Sequence, residues 1–132
     1  MRLMTRLATV AGTATLMAGV MTGTPANAAA GEVCLSVSAG DFEHTAGGAC
    51  FKPNGDVFRV FDTWADGMRV VAVWGTDYGR SGQCTNTNSA NGPQKVCDYD
   101  MREGRTIEFQ VCTRDGATGP WHRCSGWKET TI

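Results

Sequence analysis

Six cysteines in a short chain are the feature that most limits what this sequence can fold into. The chain has 132 residues, and the cysteines are Cys34, Cys50, Cys84, Cys97, Cys112 and Cys124. No two lie within five residues of each other, so the Cys-x-x-Cys pair of zinc sites and of thioredoxin-like redox centres is absent. An even cysteine count in a small chain instead indicates a disulfide framework, and no metal or cofactor is expected.

Six cysteines can pair in many ways, and the sequence does not select one of them. We predict the sequential pairing Cys34–Cys50, Cys84–Cys97 and Cys112–Cys124, because each bond would then close a local hairpin or loop. In the chain-entropy account, each bond would stabilise the fold by about 3 kcal/mol. With every sulfur in a disulfide, no thiolate nucleophile is expected.

Residues 1–28 have the composition of a secretion signal. Arg2 and Arg6 give a positive start, residues 7–21 are uncharged and mostly apolar, and residues 26–28 form the small-x-small pattern of a cleavage site. The apolar stretch is shorter than the ~20 residues of a membrane span, which disfavours the alternative of a membrane anchor. We predict cleavage after Ala28 or Ala30 and an extracellular protein, with one secreted domain at 29–132 and no membrane span after cleavage.

The charge and apolar content of residues 29–132 narrow the function classes. Of the 12 Lys and Arg, two lie in the leader, so 10 remain against 13 Asp and Glu, a net charge of −3. No basic stripe is present to release counterions from a phosphate backbone, so no nucleic-acid partner is predicted. Ile, Leu, Val and Phe number only 17 in this part, a thin core for which disulfides would compensate.

Two-residue alternation of apolar and polar side chains predicts strands, and no stretch after the leader has helical spacing. Residues 56–64 and 68–74 are apolar on both faces in places, which is typical of central strands in a sandwich. Ile107, Phe109 and Val111 are predicted to face inward. The predicted strands cover residues 33–38, 56–64, 68–74, 106–112 and 122–128.

Turn residues separate these stretches. Residues 53–56, Pro-Asn-Gly-Asp, predict a tight turn, and Asp66-Gly67 predicts a hairpin between its two flanking strands. Residues 114–116 and 119–120 frame another connection. Residues 45–48 and 79–93 are rich in small and polar residues and are expected to be loops. The fold class is therefore all-β: a small disulfide-stapled sandwich or barrel of six or seven short strands.

Candidate catalytic groups do not form a recognisable constellation. His44 and His122 are the only histidines, and the sequence has no Gly-x-Ser-x-Gly elbow. Asp98, Asp100 and Glu103 could serve a glycosidase or a weak calcium site, but the interleaved arginines favour an acidic hairpin tip. We predict a protein that is not an enzyme, with no catalytic, metal-binding or cofactor-binding residues.

Aromatic side chains are the stronger candidates for function. Trp64 and Trp74 flank the Asp66-Gly67 turn and are expected in the core, whereas Trp121 follows Gly-Pro and Tyr78 precedes a glycine. Trp121 and Tyr78 are therefore the predicted partner-binding residues, because exposed aromatics anchor proteins or stack on sugar rings. The strand at residues 33–38 is expected at a sheet edge, where it could pair with another chain.

The central sequence CFKPNGDVF (residues 50–58), followed by Asp62 and by Ala65-Asp66-Gly67, resembles a pattern in small secreted proteins of filamentous actinobacteria. The likeness covers most of residues 33–127. It extends to umbrella toxin particles, in which a small cysteine-bearing subunit bridges lectin-like subunits to a large stalk. The resemblance implies turn-forming roles for Pro53, Asn54, Gly55, Asp66 and Gly67, and it carries over no catalytic residue.

Two functions follow as hypotheses. The first is a non-catalytic secreted domain that binds other secreted proteins, as a bridging or adaptor subunit of an extracellular antibacterial toxin complex. Its partners would include lectin-like and stalk subunits. The alternative is a stand-alone carbohydrate-binding or enzyme-inhibitor module, with a rigid exposed loop at residues 79–93 or 116–121.

Overall fold

A computed structural model describes residues 31–132, so the predicted signal segment lies outside the described residues. The described part contains nine strands and no helix. None of its segments could cross a membrane as an apolar helix. The strands are β1 (Val33–Ser38), β2 (Thr45–Lys52), β3 (Val57–Asp62), β4 (Arg69–Thr76), β5 (Ser81–Asn86), β6 (Lys95–Asp98), β7 (Thr106–Arg114), β8 (Trp121–Cys124) and β9 (Lys128–Thr131).

The strands form two antiparallel sheets, which confirms the all-β prediction and selects a sandwich over a closed barrel. The first sheet has the order β1-β2-β3-β6. The second has the order β5-β4-β7-β8, with β9 also paired to β7. As predicted for central strands, β3 and β4 each lie between two neighbours, and β1 is an edge strand.

An aromatic core fills the space between the sheets. Phe51 and Phe58 come from the first sheet, Phe109 and Trp74 come from the second, and all four are at most 2% exposed. The ring centroids of Phe58 and Phe109 lie 5.3 Å apart in an edge-to-face arrangement, which adds to the stabilisation from their burial. Ile107 and Val111 also face this core, as the alternation predicted.

Strand β2 was missed because its glycines resemble a loop sequence. Gly47 and Gly48 lie inside this strand, between β1 and β3. A Cβ on Gly47 would lie 2.3 Å from the carbonyl oxygen of Phe61, and one on Gly48 would lie 2.5 Å from that of Leu35. Only glycine permits such close backbone approach, so these residues serve sheet packing and not a turn.

Three further predictions are wrong. The expected loop at residues 79–93 contains all of β5, and β6 follows it at residue 95. The expected last strand at residues 122–128 is two strands, β8 and β9, which pair with different parts of β7. The Asp66-Gly67 turn joins strands of different sheets, so it is a crossover and not a hairpin. The sandwich therefore has nine strands, not six or seven.

All six cysteines are paired in sequence order, which confirms the predicted connectivity. Cys34–Cys50 and Cys112–Cys124 each join directly opposed residues of neighbouring strands, with Cα atoms 4.0 Å apart. Cys84–Cys97 differs, because it joins β5 of one sheet to β6 of the other. Two bonds therefore hold the edge strands β1 and β8 in place, and the third holds the sheets together.

Replacing Gly47 with alanine tests the packing of β2. The new methyl group would meet backbone atoms that cannot move independently of β3, so Gly47→Ala should destabilise the protein by about 3 kcal/mol. Gly126→Ala is the control, because nothing lies within 4 Å of the position that its Cβ would occupy, and its effect should stay within about 0.5 kcal/mol. Urea unfolding measures both; equal stability of the two variants would contradict this packing.

Candidate binding site at the loop end

Four connections meet at one end of the sandwich. Because neighbouring strands are antiparallel, the links β1–β2, β3–β4, β5–β6 and β7–β8 all lie at the same end. We call this surface the loop end; it comprises residues 39–44, 63–68, 87–94 and 115–120. The start of β8 adjoins it. Loops carried on a rigid sheet scaffold are a common position for binding residues.

Phe42 is the most exposed large apolar side chain of the described part, at 71%. It lies in the β1–β2 loop with φ of 60°, a left-handed conformation that is rare and strained for a bulky residue. The guanidinium carbon of Arg123 lies 3.5 Å from the centroid of its ring. Arg123 also donates a hydrogen bond to the carbonyl oxygen of Gly40 at 3.2 Å. The loop and β8 are thus joined through a cation–π contact.

Trp121 forms a second aromatic–arginine pair. Its side chain is 40% exposed, and the guanidinium carbon of Arg114 lies 4.5 Å from the ring centroid. Arg114 also donates to Gln83 Oε1 at 3.2 Å. Because these contacts restrain both side chains, Trp121 is held in place within the folded domain.

Trp64 stacks on His44 across the loop end. The ring centroids lie 3.8 Å apart at an interplanar angle of 14°, and Trp64 remains 38% exposed. Asp41 Oδ2 lies 2.6 Å from His44 Nδ1, and the two groups form an ion pair when the imidazole is protonated. The hydrogen bond with His44 lowers the pKa of Asp41 below its usual value.

A small pocket lies between the β3–β4 and β5–β6 loops. Its volume is about 170 Å³. Trp64 and Asp62 both line it, and Asp62 is only 9% exposed. Burial raises the pKa of Asp62, and the negative charge of Asp66 raises it further, whereas the hydrogen bond from the backbone N–H of Trp64 opposes the shift. The pocket thus combines an aromatic wall with a desolvated carboxyl group.

The aromatic residues singled out from the sequence differ in how well their positions were predicted. Trp121 lies at the start of β8, next to the loop end, and is exposed, as expected. Tyr78 lies at the opposite end and is half-buried against the core, with Arg102 4.9 Å from its ring. The expectation that Trp64 belongs to the core is wrong, whereas Trp74 is buried as predicted.

Candidate catalytic groups are not assembled into a reactive centre in the described residues. Asp41 and His44 have the separation of two members of a catalytic triad, yet within residues 31–132 no hydroxyl makes a hydrogen bond to His44. Asp98, Asp100 and Glu103 are exposed on and after β6. All six sulfurs are in disulfides, so none can act as a nucleophile or metal ligand.

Sequence reasoning missed Phe42, Arg114 and Arg123. Phe42 stands alone among polar residues, and no periodic pattern separates an exposed aromatic from a buried one. Its partner Arg123 lies 81 positions later, as the residue numbers show, and only the folded chain brings the two together. Arg114 and Trp121 stand on the two sides of a predicted connection between strands, and this position could have indicated that the two side chains are close.

The comparisons with known proteins return nothing: no family model, curated protein or solved structure matches the chain.

The pKa of Asp62 gives this end of the molecule a defined pH dependence. Because the pKa of Asp62 is higher in the folded than in the unfolded protein, ionising this carboxyl group costs more in the folded state. The protein is therefore not destabilised by Asp62 below the unfolded pKa, and it loses stability as the pH rises through the folded pKa. Asp62→Asn removes this loss, so its stability relative to the natural protein should be higher at about pH 7 than at about pH 3. Urea unfolding at both pH values measures the difference. The raised pKa would be contradicted if the free energy of unfolding of Asp62→Asn, relative to that of the natural protein, decreased from about pH 3 to about pH 7.

Proposed function

We propose that this protein is a secreted, non-catalytic domain that binds another protein through its loop end. The observation that carries the proposal is a set of exposed aromatic side chains already held by stacking: Phe42 on Arg123, Trp121 on Arg114 and Trp64 on His44. We call these three rings the loop-end aromatics.

Stacked, exposed aromatics have the properties of binding hot spots. Trp, Tyr and Arg dominate the energetics of protein interfaces because they bury large areas and donate hydrogen bonds. Side chains that are restrained before binding lose less conformational entropy when a partner arrives. A folded protein gains little by holding Phe42 exposed in a strained conformation, and such strain is concentrated at functional positions.

Charge supports a partner with a complementary surface. None of the ion pairs in residues 31–132 uses Arg114 or Arg123. The Nε atoms of both arginines are buried without a hydrogen-bond partner among the described residues. Carboxylates of a partner could therefore bind the terminal nitrogens of these guanidinium groups without competing with an existing ion pair.

The resemblance to umbrella toxin subunits gives the proposal its setting. In that setting the partners are lectin-like and stalk subunits of an extracellular toxin particle, and this chain is the bridging subunit. Three disulfides are consistent with the extracellular location. A stand-alone carbohydrate-binding module is the second candidate, because the half-exposed rings of Trp64 and Trp121 could stack on sugars.

Substitution of the loop-end aromatics tests protein binding. The tagged protein is used to capture partners from the culture supernatant of the producing organism, and mass spectrometry identifies the captured chain. Phe42→Ala and Trp121→Ala should each weaken that capture at least about tenfold. Because both side chains are exposed, neither variant should lose its fold, as circular dichroism would show.

Val96→Ala is the matched control. Val96 is 55% exposed on β6, at the edge of the first sheet opposite β1, and its loss should leave capture unchanged. Recovery of only the free monomer would contradict the proposal. Equally strong capture of the partner by Phe42→Ala, Trp121→Ala and Val96→Ala would also contradict it. Capture by immobilised glycans with no second protein present would favour the carbohydrate-binding alternative.

A further inference from the structure

The pocket beside Trp64 contains a carboxylate without a counterion in the described part of the chain. Asp62 Oδ1 accepts a hydrogen bond from the backbone N–H of Trp64 at 3.1 Å. No arginine, lysine or histidine of residues 31–132 lies within ion-pair distance of Asp62. Asp62 is 9% exposed as a whole residue, and a carboxylate that is partly removed from water is stabilised by a nearby cation.

The aromatic wall of the pocket is suited to the same kind of ligand. One face of Trp64 is covered by His44 at 3.8 Å, yet 38% of the residue remains exposed. Indole is the best of the aromatic rings for binding ammonium and guanidinium groups. Asp62 and Trp64 together thus offer a charge and a π-surface to one cationic side chain.

The walls of the pocket are held in place by hydrogen bonds. Buried Asn86 donates from Nδ2 to the carbonyl oxygen of Val60 at 2.9 Å, and its Oδ1 accepts from the Asn88 N–H at 2.7 Å. Asp66 Oδ1 accepts from the Met68 N–H at 2.9 Å in the β3–β4 loop. A site whose supporting residues are already ordered binds its ligand at a lower entropic cost.

The charged residues that line the pocket are Asp62 and Arg69, and the carboxylate of Asp66 adds a further negative charge near Asp62. Asp66 lies in the same loop, and Arg69 of β4 lines the pocket without an ion pair to either carboxylate. The His44–Asp41 pair lies behind the Trp64 ring. The pocket residues contributed by β5 and its following loop are uncharged: Asn86, Thr87, Ser89 and Ala90.

We propose that this pocket binds one lysine or arginine side chain of the partner protein. Its volume of about 170 Å³ is below the roughly 300 Å³ at which drug-sized ligand pockets begin, so a single side chain is the appropriate occupant. The cationic head would lie against both the Asp62 carboxylate and the Trp64 ring. This inference rests on the proposed protein-binding function and specifies the chemistry of one contact.

A titration with isolated side-chain analogues tests the pocket directly. The ¹⁵N-labelled protein is titrated with Nα-acetyl-lysine amide and, separately, with Nα-acetyl-norleucine amide, which has a similar stem but no charge. The lysine compound should shift the Trp64 indole and Gly67 amide signals in a saturable manner, and the norleucine compound should not. Asp62→Asn should weaken lysine binding at least about tenfold.

Asp98→Asn is the matched control, because Asp98 is an exposed carboxylate on β6. It pairs with Val57 at the start of β3, whereas Asp62 is at the end of that strand. Binding of the lysine compound by Asp98→Asn should be unchanged, and the spectra of both variants report whether they are folded. Equal binding of the two compounds, an unchanged affinity in Asp62→Asn, or saturable binding of methyl glucoside in place of lysine would overturn the inference.

The two proposals fail in different ways. If the partner is captured through the loop-end aromatics but Nα-acetyl-lysine amide does not bind, the pocket inference alone is wrong. If lysine binds but no protein partner is captured, the protein-binding function is wrong and the pocket must serve another ligand with a basic group.

Discussion

The disulfide between Cys84 and Cys97 is the constraint on which the rest of this structure depends. It joins β5 of one sheet directly to β6 of the other, two strands that the chain otherwise connects through the loop at residues 87–94. The core between the sheets is small, with Phe51, Phe58 and Phe109 supplying much of its volume. With so little apolar area to bury, a covalent link that restricts the unfolded chain contributes a large share of the stability.

The other two disulfides determine how rigid the loop end is. Cys34–Cys50 holds β1 against β2, and Cys112–Cys124 holds β8 against β7. Both β1 and β8 lead into or out of the loop end, where Phe42 and Arg123 contact each other. The crosslinks thus stabilise the edges from which the exposed aromatics project. A rigid scaffold of this kind allows large apolar side chains to remain exposed without collapsing onto one another.

Much of the scaffold was predictable from the sequence, since its signals are local. Strict alternation located β1 and β7, and the apolar pattern located β3 and β4. The sequential disulfides were predictable because each closes a short interval. Strand β2 was not predictable, because its glycines are explained only by contacts that are distant in sequence. A side chain at Gly47 or Gly48 would clash with the backbone of Phe61 or Leu35. Short β6 was hidden among polar residues because its one aliphatic side chain, Val96, is exposed.

The candidate site was less predictable than the scaffold. Trp121 could be identified from its position after Gly-Pro, but the exposure of Trp64 depends on stacking with His44, a contact between two loops. The pocket at Asp62 arises where a strand of the first sheet ends beside a loop leaving the second. Such features depend on how sheets are placed relative to each other, which no local pattern encodes.

Equilibrium unfolding in urea, with and without a reductant, tests the central claim most directly. Three bonds of about 3 kcal/mol each together rival the whole stability of a typical small domain. The account predicts that the oxidised protein unfolds cooperatively and that the fully reduced chain is already unfolded without urea. A reduced chain that keeps its β-sheet circular dichroism and the same urea midpoint would contradict it.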